Sequence, residues 1–190
     1  MNGFGASLTR GRRLPERARS MVEVEELGAH ETEQAYDAMQ PLRPRVGTPA
    51  EFAERVNRHL RPEGYRLAVV REGGRVVSVA GFRVGHDLVA GKYLYLDDLS
   101  THPAHRSRGH AGRLVDWLLE EARRLGCDTF ELDSSTRAER DDAYRLYLNK
   151  RLAIRAMHFV QPLGEPPGPA PAPSTGGPKG YVEDRASSVR

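Results

Sequence analysis

Apolar and polar positions change rhythm several times along the chain, and each change marks an element. The clearest stripe is Ala111, Leu114, Val115, Leu118, Leu119, Ala122 and Leu125. This is the i, i+3, i+4, i+7 spacing of a helix with one buried face, and it predicts a helix over 109–125 that Gly126 stops. Ala35, Tyr36 and Met39 share a helical face within 31–39. Thr48-Pro49-Ala50-Glu51 joins a capping threonine, a first-turn proline and a glutamate three residues on. That capping box opens a second helix, in which Phe52, Val56 and Leu60 follow at helical spacing. A fourth helix is predicted over 138–149. Strand-like runs cover 22–27, 65–71, 75–84, 93–101, 129–134 and 153–161, and the pair around Glu72-Gly73-Gly74 reads as a hairpin. The order β-α-α-β-β-β-α-β-α-β predicts a mixed α/β architecture, a mixed sheet with helices packed on it. The strand–helix–strand unit within 93–134 should be parallel and right-handed.

The two ends break this pattern. Residues 164–178 carry six prolines among Gly, Ala, Ser and Thr, a composition that buries too little to offset its ordering entropy. Residues 164–190 are therefore expected to be a Pro/Gly-rich disordered tail. Residues 1–20 hold Arg10, Arg12, Arg13, Arg17 and Arg19 against Glu16 alone. That local charge of +4 exceeds the +3 of the whole chain and leaves residues 21–190 at −1. The basicity belongs to an N-terminal extension, which an acidic partner, plain solvation or a true start at Met21 would each explain. A near-neutral body does not offer the broad basic surface that nucleic acid requires, so nucleic acid is not an expected partner. One folded domain is expected over 21–163, with no internal repeat.

Charges interrupt every apolar run well before membrane-spanning length, so no membrane span is expected; the first twenty residues lack an apolar core, so no secretory signal is expected. The lone cysteine, Cys127, cannot form an internal disulfide. It reads as a small apolar side chain at a helix-to-strand junction, in keeping with a cytoplasmic location.

Chemistry concentrates where the 93–101 strand meets the long helix, at His105-Arg106-Ser107-Arg108-Gly109-His110-Ala111-Gly112. Free N–H groups at a helix start, two arginines and small side chains make an anion cradle. A Gly-containing loop with solvated arginines accounts for the octapeptide alone equally well. The Gly-Lys-Ser/Thr ending of a nucleotide P-loop and the three-glycine spacing of a dinucleotide fold are both missing. His102, His105 and His110 crowd this loop without a pattern such as His-Glu-x-x-His, so no metal is assigned.

Arg106-x-x-Gly109-x-Ala111 resembles the Arg/Gln-x-x-Gly-x-Gly/Ala loop of the GNAT superfamily of N-acetyltransferases. The resemblance extends over about 21–162, in order and spacing. It takes in Glu72 to Gly81 (the hairpin), Leu96-Asp97-Asp98-Leu99-Ser100-Thr101-His102-Pro103, Leu132-Asp133-Ser134, and Ala143-Tyr144-Arg145-Leu146-Tyr147-Leu148. Ser107 stands where glycine is common and Thr101 where valine is. Arg151-Leu152 replaces the usual Gly-Phe, and Arg140 replaces a common asparagine.

The resemblance implies a GNAT-like acyl-CoA N-acyltransferase fold with a central, mostly antiparallel mixed sheet. It implies acetyl-CoA as cosubstrate and acetyl transfer to a small-molecule or peptide amine acceptor. Leu99, Ser100 and Thr101 would hold the pantetheine arm through their backbone. Arg106, Ser107, Arg108, Gly109, His110, Ala111 and Gly112 would hold the pyrophosphate. Tyr147 matches the general acid. Asp97 and Asp98 should project to opposite strand faces, and comparison with spermidine/spermine-type members favours Asp97 as general base. Arg43 and Arg45 hint at an anionic acceptor, and His86 and His158 border its expected position. A non-catalytic acyl-CoA sensor or scaffold of the same fold is the alternative, and a homodimer is an open option.

Overall fold

The computed structural model describes residues 23–136 and 140–164. The N-terminal extension and all but Gly164 of the C-terminal tail expected from the sequence lie outside these residues. Five strands form one sheet in the order β1-β2-β3-β4-β5: β1 Val24–Glu26, β2 Arg66–Glu72, β3 Arg75–Asp87, β4 Gly91–Thr101 and β5 Thr129–Leu132. The first three pairings are antiparallel, and β4–β5 is parallel. Helix α3 (His110–Arg124) makes the crossover between β4 and β5. This is the mixed sheet that the residue pattern predicts, mostly antiparallel as the resemblance implies.

Both faces of the sheet are covered, because alternate residues of β2 feed two cores. Leu67 and Val69 pack with Ala35, Met39, Phe52 and Val56 from the N-terminal helices. Ala68 and Val70 pack with Phe82, Leu94, Leu114, Val115 and Leu118 under α3. The stripe read from the sequence is thus the face that α3 buries. The first predicted helix is a 3-10 segment, Ala29–Ala35, running into a short α1, Tyr36–Met39. Helix α2 (Pro49–Arg55) begins with the expected capping box: Thr48 Oγ1 accepts from Glu51 N (3.3 Å), and the Glu51 carboxylate accepts from Thr48 N (2.7 Å). Cys127 is half-buried between α3 and β5, where burial raises its thiol pKa.

The strand expected over 153–161 does not form, and residues 152–163 carry no regular structure. Ile154 and Phe159 are 78% and 86% exposed. Apolar side chains fall on both faces of this segment, so alternation specifies no register against β5. Helix α4 (Asp141–Asn149) ends with Leu152 N donating to Tyr147 O and Arg151 N to Leu148 O. Arg151 takes the left-handed conformation there, φ 64°. That backbone requirement explains why glycine is usual at this position. Of the predicted fourth helix, residues 138 and 139 lie outside the described set.

One irregularity in the sheet shapes everything that follows. In the β3–β4 ladder Gly81 faces Asp98 and Phe82 faces Leu96, so Asp97 has no partner across the ladder. This is a β-bulge, one extra residue that bends β4. Pairing with β5 stops at the same place, at Leu96↔Leu132. Residues 97–101 of β4 therefore run on beyond β5.

Candidate active site

A cavity of about 780 Å³ opens at the bulge, between β4, the end of β5, the N-terminal helices and α4. Asp97, Asp98, Leu99 and Tyr147 line it, together with Arg43, Tyr65, Arg83, Tyr95, Asp133 and Arg140. The expectation that Asp97 and Asp98 face opposite ways is corrected here. The bulge interrupts the two-residue period, so both carboxylates reach the same cavity.

The two acids nevertheless have different surroundings. Asp98 Oδ1 accepts from Arg43 Nε (2.6 Å), and Oδ2 accepts from the buried Tyr65 hydroxyl (2.7 Å). Burial first, and the Asp98 charge second, push the Tyr65 pKa well above its ordinary value, so that hydroxyl stays protonated. Asp98 is thus held as an acceptor by two donors. Asp97 has one protein donor, Arg83 Nε to Oδ2 at 2.9 Å. Its carboxyl pKa is raised, because desolvation outweighs the pull of Arg83. Asp97 thus takes a proton more readily than an ordinary aspartate does.

The Tyr65–Asp98 bond depends on a glycine. A Cβ at Gly81 would lie 1.8 Å from the Tyr65 hydroxyl oxygen and 2.3 Å from its ring carbon Cζ. Gly81→Ala should therefore cost about 1–3 kcal/mol by overpacking. Urea unfolding should show a lower midpoint at an unchanged slope. An unchanged midpoint would mean that the ring slides aside freely.

Tyr147 is 7% exposed, and burial raises its phenol pKa with partial opposition from Arg140. Arg43, one of two arginines read as a sign of an anionic acceptor, is neutralised by Asp98. Arg45 instead lines a separate recess with Gly47, Glu51 and His59. His158 Nδ1 lies 2.8 Å from Asp133 Oδ2 on the cavity wall, whereas His86 is exposed near the end of β3.

The predicted anion loop follows β4 directly. Gly109 caps α3 at φ 83° and offers no side-chain oxygen, so no side chain caps the first-turn N–H groups. Ser107 is also left-handed, φ 60°, which accounts for the preference for glycine there. Arg106 Nε donates to Thr101 O (3.3 Å). Arg108 donates to Glu72 Oε2 (3.0 Å) and to Ala104 O (3.2 Å). His110 departs from a purely backbone role, because its imidazole is buried against Glu72. Arg106 to Gly112 and Leu99 to Thr101 thus form consecutive stretches of one edge.

The Acetyltransferase (GNAT) family model matches residues 32–152. The chain belongs to the GNAT acetyltransferase family. The N-acetyltransferase YhdJ of Bacillus subtilis (strain 168), whose substrate is not assigned, is 26% identical over 145 residues, 75% of this chain and all of that protein. A ribosomal-protein-alanine N-acetyltransferase from Brucella melitensis biovar Abortus 2308 shares the fold at TM-score 0.63 and 20% identity, covering 75% of this chain and 100% of that one. A glucosamine-6-phosphate N-acetyltransferase from Arabidopsis thaliana does so at 0.59 and 16%, covering 75% and 98%. Membership of the family makes acyl transfer the general chemistry of this GNAT domain. Among the described residues, no helix is long and apolar enough to cross a membrane.

Sequence reasoning noted Arg140 without a role and missed Tyr65, Arg83, Tyr95 and Glu72 as site residues. Only Arg83, a charge within an otherwise apolar strand, carried any local signal.

Proposed function

We propose that this GNAT domain moves an acetyl group from acetyl-CoA to a primary amine by direct attack. The supporting observation is the bulge at Asp97, which extends residues 97–101 past β5 and directly into the Gly109 helix cap. The backbone of Leu99, Ser100 and Thr101 accepts the pantetheine arm as an added strand. The N–H groups around Gly109 to Gly112, with Arg106 and Arg108, receive the pyrophosphate. Fixing the thioester beside the amine removes much of the entropic barrier.

An alkylamine is largely ammonium at neutral pH, so a proton must leave before attack. Asp97 takes it, through water. The amine lone pair adds to the thioester carbonyl, and the tetrahedral intermediate collapses with cleavage of the carbon–sulfur bond. The departing thiolate takes a proton from Tyr147, whose raised pKa keeps the phenol protonated, and the second proton that the nitrogen sheds as the amide forms restores the phenol. A binder without turnover would need neither group, and both line one cavity. The acceptor is a small-molecule or peptide amine, and no metal enters the reaction.

The test is calorimetry with acetyl-CoA, followed by CoA release over a panel of amines, amino acids and peptides. Gly109→Leu in a folded protein should abolish acetyl-CoA binding. The site would leave no room for a side chain beside the phosphate, and leucine at φ 83° is strained. Wild-type affinity in that variant would remove the loop from the cofactor site.

A further inference from the structure

Glu72 ends β2, 33 residues before His105 and 38 before His110, yet the fold brings all three together. One donor atom from each lies within 4.8 Å of the other two. His105 Nδ1 stands 2.6 Å from Glu72 Oε2, and His110 Nε2 stands 3.6 Å from Glu72 Oε1. The His110 side chain is only 2% exposed, and among the described residues neither of its ring nitrogens has a hydrogen-bond partner. A buried imidazole without partners is costly, because each unsatisfied polar atom forfeits its hydration. An apolar side chain would fill the same space without that cost.

The geometry points to a binding site for a divalent transition-metal ion of the zinc class, formed by Glu72, His105 and His110. Two imidazoles and a carboxylate suit such an ion. Donors about 2.1 Å from a tetrahedral ion lie about 3.4 Å apart. The His110–Glu72 pair already stands near that spacing. Metal binding at Glu72 Oε1 would take His105 Nδ1 from its hydrogen bond with Oε2. Arg108 holds Glu72 through Oε2, which leaves Oε1 facing His110 for the metal and fixes the carboxylate from behind. Glu72 and His105 are partly exposed, so an ion can enter and keep water as a fourth ligand. The ion would tie the β2–β3 hairpin to the start of α3 across the anion loop. This inference is independent of the reaction proposed above.

The experiment uses the full-length chain without a histidine tag, in equilibrium dialysis against zinc. One zinc per chain is expected, with a melting temperature that rises with zinc concentration. Glu72→Gln and His105→Gln, at partly exposed positions and checked for folding by circular dichroism, should each weaken binding at least about tenfold. His102→Gln should not, although that ring packs 5.8 Å from His105. The proposal is overturned if the wild type binds no zinc, if both ligand variants bind it undiminished, or if His102→Gln alone abolishes binding.

Discussion

Tyr147→Phe should leave acetyl-CoA affinity within a few-fold of wild type and lower turnover by roughly 10²–10⁴-fold. The substitution removes one oxygen and keeps the buried ring on the cavity wall, so the fold should hold. On the proposed reading cofactor contacts should also hold, because Leu99 to Thr101 and the Gly109 loop would supply most of them. The transition state alone loses its proton donor. Burial raises the Tyr147 pKa, so the phenol stays protonated below about pH 10. The wild-type rate should therefore show no alkaline fall from this group across neutral pH. If Tyr147 served only as packing, the same change would shift stability slightly and turnover hardly at all. A variant with wild-type turnover, measured where chemistry limits the rate, would move the acid role to solvent. Tight acetyl-CoA binding with no acetylation of any amine in a broad panel would favour the sensor reading.

What could be read from the chain was what depends on neighbours in sequence. The α3 stripe, the Thr48–Glu51 capping box and the Glu72–Arg75 hairpin are local patterns, and each recurs in the structure. The turn before α3 was legible for the same reason. Its left-handed Ser107 and Gly109 sit beside a helix start that periodicity marks. The bulge was not legible, because one inserted residue leaves the apolar pattern of β4 almost unchanged while turning Asp97 and Asp98 to one side. Pairings such as Tyr65–Asp98 and Arg83–Asp97 are set by sheet register, which a single strand does not encode. Glu72 is the extreme case: it gave no sign of its histidines until hairpin and loop were placed together. The 153–161 segment failed in the opposite sense, since its composition suits a strand but its two apolar faces select no partner.

Asp97→Asn should abolish most turnover, by roughly 10²–10⁴-fold, and also make the protein slightly more stable at neutral pH. The two effects together are the signature of a charge kept for chemistry. Desolvation raises the folded-state pKa of Asp97 despite Arg83, so ionisation costs more in the folded chain than in the unfolded one. By linkage this penalty is absent below the unfolded carboxyl value of about 3.9 and complete above the raised folded value. The stability gained by Asp97→Asn should accordingly appear as pH rises through that window and vanish below it. The acidic limb of the wild-type rate profile should lie above an ordinary aspartate and disappear in the variant. The residual rate should follow only the acceptor's own ionisation. Asp98→Asn supplies the contrast. Asp98 accepts from both Arg43 and Tyr65, so Asp98→Asn should remove one acceptor oxygen and the charge that pairs with Arg43, lower stability and reduce turnover less. Should Asp98→Asn instead remove the acidic limb while Asp97→Asn keeps it, the base is Asp98, and the single-donor environment of Asp97 serves only the sheet.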